Sequence, residues 1–111
     1  MQYGEIYLVD FNISVGHEYQ GKRPAVIIQS NQQLKVSNLA TVMPLTSQID
    51  NCQPEDIFIK KDSQNLLYKD SVVKVHQIKS FDKSRFIKRI GEVDTASLEK
   101  VKDYLKIHFG L

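Results

Sequence analysis

Cysteine is almost missing from this sequence: of 111 residues, one, Cys52, carries a thiol. A disulfide within the chain is therefore excluded, which suits a reducing compartment, and a cytoplasmic protein is expected. Long apolar runs are missing as well. The longest aliphatic stretch is Ala25-Val26-Ile27-Ile28, far short of the roughly 20 residues a helix needs to cross a bilayer, so no membrane partner is expected. The start, Met1-Gln2-Tyr3-Gly4-Glu5, has neither a basic region nor an apolar core, so no signal peptide is expected. No Cys/His spacing of a metal site, no phosphate-cradling glycine loop and no dinucleotide fingerprint occurs. No metal and no cofactor are expected. Repeats, low-complexity stretches and Pro/Gly-rich linkers are absent too, so residues 1–111 read as a single domain.

What is present is an ordinary globular composition. Hydrophobic residues make up 41% and charged residues 25%, enough of each for a soluble chain with a modest core that needs no crosslinks. The net charge of +2 says little, but its distribution says more. Residues 60–90 hold nine Lys/Arg against Asp62, Asp70 and Asp82, which leaves the remainder of the chain acidic. Such a stretch suits an anionic partner or a solvated lysine-rich face.

Hydrophobic periodicity predicts short strands. Gly4 to Phe11 is apolar on both alternating faces, as in a central strand. A long polar loop, Asn12 to Arg23, leads into a second strand from Pro24 to Gln29. A third runs from about Leu39 to Leu45, where Pro44 predicts an edge or a strand terminus. Ile57-Phe58-Ile59, Ser71 to Ile78 and Phe86 to Val93 complete the set, with a tight turn at 81–85. Then the period changes. Leu98, Val101, Leu105 and Phe109 recur at helical spacing after an N-cap at Asp94 or Thr95, and Gly110 stops the helix. The fold class is mainly β: a small barrel of five to seven short strands with a C-terminal amphipathic helix.

Chemistry is sparsest where the strands are clearest. The histidines His17, His76 and His108 are scattered, and no nucleophile triad can be read from spacing. The segment Gly16-His17-Glu18-Tyr19-Gln20-Gly21-Lys22-Arg23-Pro24 stands out. Pro24 biases Arg23 toward extended backbone and suits the first residue of a strand, so the guanidinium is aimed from a rigid base. Candidates to grip phosphate are Arg23, Thr46, Ser47, Lys74 and the loop around His17.

Taken in order, several blocks resemble those of the MazF/PemK/Kid toxins. They are Gly4-Glu5-Ile6-Tyr7, Gly21-Lys22-Arg23-Pro24, Val42-Met43-Pro44-Leu45-Thr46-Ser47, Asp70-Ser71-Val72-Val73, Gln77-Ile78 with Asp82-Lys83-Ser84-Arg85, and Ile90-Gly91. Each block alone is weak, but the series spans nearly the whole chain. The resemblance implies an SH3-like barrel, a homodimer and a metal-independent endoribonuclease that cuts single-stranded RNA by 2′-hydroxyl attack. It also implies neutralisation by a cognate MazE/PemI-type antitoxin. The family's functional Arg and Thr fall on Arg23 and Thr46.

Where some family members carry an Arg and an Asp one residue apart, this chain has Lys74 and His76. That departure leaves the general base open, with His76 as the catalytic candidate by its unperturbed pKa of about 6.5. His17, Glu18, Tyr19, Lys22, Ser47, Lys74 and Gln77 are the expected RNA contacts. Two other readings stay open: a non-enzymatic gyrase poison of the CcdB type on the same barrel, and a barrel that binds nucleic acid without cutting it.

Overall fold

A computed structural model describes residues 1–12 and 21–111. His17, Glu18 and Tyr19 lie outside the described residues. Among the described residues, seven strands and two α-helices follow one another: β1 (Glu5–Asp10), β2 (Lys22–Ile27), α1 (Asn31–Val36), β3 (Leu39–Thr46), β4 (Ile57–Ile59), β5 (Ser71–Val73), β6 (Lys79–Asp82), β7 (Phe86–Glu92) and α2 (Thr95–Phe109). All pairings are antiparallel, in the order β4-β5-β3-β2-β1-β7, with β6 alongside the first half of β3. The order does not return from β7 to β4, so the expected barrel is an open one.

Alternation along the central strands builds two cores, because successive side chains point to opposite faces. Val26, Met43 and Leu45 join Ile6, Val73 and Val101 under α2. Ala25, Ile27, Ala40 and Val42 join Val9, Phe11 and Phe81 on the other side, with Leu34 of α1. This is why the first strand reads as apolar on both faces. The C-terminal helix starts at the N-cap Asp94, whose carboxylate accepts from Ser97 N at 3.0 Å and Ser97 Oγ at 2.8 Å. It ends on Gly110 in the left-handed region.

Three expectations change. Pro44 is buried inside β3, between β2 and β5, rather than at an edge. Lys74 N donates to Pro44 O at 2.9 Å, and proline has no N–H to return the bond. The ladder therefore stops there, and the strand expected over 71–78 ends at Val73 and turns through residues 74–78 before β6. Toward β2, Pro44 faces Ala25. Since its N–H position points to β5, that pairing needs no donor from it. The third change is in α2, where Tyr104 is buried and Phe109 is 60% exposed, so the inward stripe runs through Leu98, Val101, Tyr104 and Leu105.

Candidate active site

Strand register brings the two principal candidates together. Across β2 and β3, Ile27 faces Val42, Val26 faces Met43 and Ala25 faces Pro44. Two residues beyond the last of these pairs, on the same two adjacent strands, stand Arg23 and Thr46. Both line one cleft of about 270 Å³ where the second and third strands leave the core. Ser47 lines it too, so three of the sequence candidates converge.

Each side chain is held by its surroundings. Arg23 is exposed, and its backbone is paired to Val9 while Pro24 pairs to Leu8. Thr46 is 6% exposed, and its Oγ1 accepts from Gln48 N at 3.1 Å. That bond uses an oxygen lone pair, so the hydroxyl proton can still be donated to an anion in the cleft. Leu45 and Leu67 give the cleft an apolar floor, which strengthens electrostatics at its mouth.

The opposite wall comes from a loop that sequence reading passed over. Tyr68 and Lys69 line the cleft, and Tyr68 is 89% exposed. This loop is tightly built. Asp62 Oδ1 accepts from Gln64 N and Asn65 N, at 2.9 and 2.7 Å. Asn65, 2% exposed, accepts from Asp62 N and Leu67 N, each at 3.0 Å, and donates to Lys60 O at 2.9 Å. The whole turn lies on Gly91: a Cβ there would sit 2.3 Å from Asn65 O. Among the described residues, the cleft is lined by two cations, Arg23 and Lys69, and by no carboxylate. Two cations on one cleft suit an anionic ligand.

Other candidates sit elsewhere. Lys22 is exposed beside Arg23 and paired with Asp10, but it does not line the cleft. Lys74 is 8% exposed and its Nζ is 2.7 Å from Asp56 Oδ2, whose side chain is fully buried. Asp56 also accepts from Gln53 N at 2.8 Å and Val75 N at 3.3 Å. This ion pair builds the turn after β5, and Lys74 does not reach the cleft within one chain. Gln77 is part of the same turn, donating its backbone N–H to Lys74 O at 3.1 Å.

His76 is drawn to α2 instead of the cleft. Its Nδ1 lies 2.8 Å from Tyr104 Oη and its Nε2 3.2 Å from Glu55 Oε1. Tyr104 Oη also lies 2.9 Å from His108 Nδ1. Burial, with Glu55 and Asp56 nearby, pushes the Tyr104 phenol up. The Tyr104 hydroxyl can donate its one proton to only one of these Nδ1 atoms, so the other histidine must carry its own Nδ1–H and donate it to the Tyr104 oxygen. The basic stretch over 60–90 is likewise dispersed. Lys83 reaches Leu34 O, Arg85 lies 3.9 Å from Asp10 and Arg89 pairs with Glu5, while Lys69 turns to the cleft.

Residues 2–109 match the family described as PemK-like, MazF-like toxin of type II toxin-antitoxin system. The endoribonuclease MazF of Staphylococcus saprophyticus is 33% identical over 112 residues, covering 100% of this chain and 92% of that protein. The crystal structure of MazF from Deinococcus radiodurans superposes with a TM-score of 0.85 at 24% identity, covering 100% of this chain and 97% of that one. A mycobacterial endoribonuclease in complex with its cognate antitoxin superposes with a TM-score of 0.75 at 22% identity, covering 100% and 94%. No helix of the described residues is long and apolar enough to cross a membrane.

Proposed function

Because the chain belongs to the PemK-like, MazF-like toxins of type II toxin-antitoxin systems, and is an endoribonuclease of that family, we propose that it cuts single-stranded RNA at a short sequence without a metal ion. The reaction is attack of a ribose 2′-hydroxyl on the adjacent phosphate. The 2′-oxygen loses its proton and bonds to phosphorus, and the bond to the 5′-oxygen breaks. That oxygen takes up a proton, leaving a cyclic phosphate and a 5′-hydroxyl.

One observation carries the reading: Arg23 and Thr46 line the same cleft. Negative charge grows on the non-bridging oxygens as the fifth bond to phosphorus forms. A guanidinium meets two such oxygens with a planar fork and stays protonated at all working pH. Thr46 donates its hydroxyl to the same group and fixes the in-line geometry. Ser47 is the second hydroxyl within reach of the phosphate. The protein acts in the cytoplasm as a homodimer, and a cognate MazE/PemI-type antitoxin neutralises it, as the antitoxin-bound mycobacterial relative suggests.

The test is purified protein with a long single-stranded RNA in EDTA, beside Arg23→Lys and Thr46→Val. Discrete cuts bearing cyclic phosphate and 5′-hydroxyl ends are expected. Loss of one transition-state donor lowers the rate about a hundred- to a thousandfold. Intact RNA under conditions where the protein still arrests growth would overturn the reading in favour of a poison that does not cut.

A further inference from the structure

Tyr68 is the least explained side chain of the cleft. An aromatic ring 89% exposed contributes almost nothing to the core, yet the residues on either side of it in the chain are held by hydrogen bonds and burial. Asn65, two residues before its neighbour Leu67, is clamped on three sides. Leu67 is buried in the main core and Ser71 Oγ donates to Lys69 O at 2.9 Å. Leu66 adopts φ 53°, a left-handed conformation that aliphatic residues seldom take. The chain accepts that strain at the residue that aims the Leu67-Tyr68-Lys69 segment.

We propose that Tyr68 is a stacking platform for a nucleobase next to the scissile phosphate, with Lys69 on the neighbouring phosphate. The proposal rests on the RNA-cutting reading and adds a residue that fixes register and base preference. A base is the fitting occupant because the ring stands on the wall of a cleft that Arg23 and Lys69 also line. A single strand offers what that arrangement takes: a flat apolar face beside a negative charge. Tyrosine has few rotatable bonds, so little entropy is lost when a base settles on it. A stacking face tolerates any base but holds purines more strongly, so the preference is for a purine at one position beside the cut.

The experiment uses the full chain with Tyr68→Ala, Tyr68→Phe and Tyr68→Leu. Cut sites are first mapped on a randomised single-stranded RNA pool. Oligonucleotides then carry 2-aminopurine at each position beside the cut, with 2′-deoxyribose at the scissile residue so that they bind uncut. Tyr68→Ala is expected to keep the wild-type melting temperature, since the side chain is 89% exposed. It should weaken binding roughly 5- to 150-fold, raise KM more than it lowers kcat, and abolish quenching at one position. Tyr68→Phe should restore all three, and Tyr68→Leu should not. Unchanged affinity, quenching and cut profile in Tyr68→Ala would overturn the proposal while leaving RNA cutting intact. A changed sedimentation coefficient in Tyr68→Ala would overturn it in favour of a contact between copies of this chain. If wild-type protein cuts no RNA, the functional reading fails, and quenching of the uncut probes still decides whether Tyr68 stacks a base.

Discussion

Replacing Gly91 by alanine tests how the cleft's second wall is held. A Cβ at that position would lie 2.3 Å from Asn65 O, 2.6 Å from Asn65 C and 2.7 Å from Gln64 O. These are backbone atoms and cannot rotate aside, whereas ordinary contacts lie near 3.5 Å or beyond. The turn over residues 62–66 must therefore retreat by about 1 Å. Retreat strains the Asn65 clamp and breaks the bond from Glu92 N to Gln64 O, which is already 3.2 Å long. Overpacking of this kind costs about 1–3 kcal/mol and one lost hydrogen bond about 1 more, so a destabilisation of about 2–4 kcal/mol is expected. Thermal denaturation should then show a fall of roughly 10–30 °C. Tyr68 and Lys69 move with the turn. At a temperature where the variant is fully folded, cleavage should still drop, because a misplacement of about 1 Å can cost about a hundredfold in rate. Asn65→Ala should act in the same direction, and the double variant should lose less than the sum, since both act on one turn. Gly91→Ala protein with wild-type melting and wild-type cleavage would refute the close approach and the role given to this loop.

Two further predictions concern the frame of the site. Lys74→Met strands the fully buried Asp56 carboxylate and should cost about 3–5 kcal/mol in urea denaturation; adding Asp56→Asn should recover part of it, and an unchanged midpoint in Lys74→Met would show that the pair does not hold the turn. Asp94 is pulled both ways: burial raises its carboxyl, but the bonds from Ser97 outweigh that and hold it below the ordinary carboxylate value. A lowered folded-state pKa means stability that is complete above the unfolded value of about 4 and lost as pH falls through the folded one. Asp94→Asn keeps a good N-cap and should flatten that acid loss, whereas Asp94→Ala should cost about 1 kcal/mol at neutral pH. Equal acid slopes in wild type and Asp94→Asn would contradict this.

Periodicity made the strands and the C-terminal helix legible, because the apolar alternation of the first strand and the helical spacing of Leu98, Val101 and Leu105 announce buried positions. It misjudged Pro44, because a proline reads as a strand end unless one knows which neighbour its missing N–H faces. It ran the strand beyond Val73 for the same reason. It also placed Phe109 inward, whereas the buried stripe of the helix runs through Tyr104 and leaves Phe109 exposed. The roles of Arg23 and Thr46 came from resemblance, and the pairing of β2 with β3 explains afterwards why residues so far apart in the chain line one cleft. Tyr68 and Lys69 were invisible to periodicity. They sit on a turn whose position depends on a glycine more than 20 residues away, and nothing local marks them except a tyrosine beside a lysine. The basic stretch over 60–90 misled in the opposite way, since close spacing along the sequence scattered its cations over several faces.

The central claim is that Arg23 and Thr46 act on one phosphodiester. A double-mutant cycle measures it directly: single-turnover rates on one mapped oligonucleotide for wild type, Arg23→Lys, Thr46→Val and the double variant, each checked for folding. Groups that serve the same transition state give losses that do not multiply, so the double variant should be little slower than the worse single one. Losses that multiply would place the two side chains in separate tasks and contradict the account.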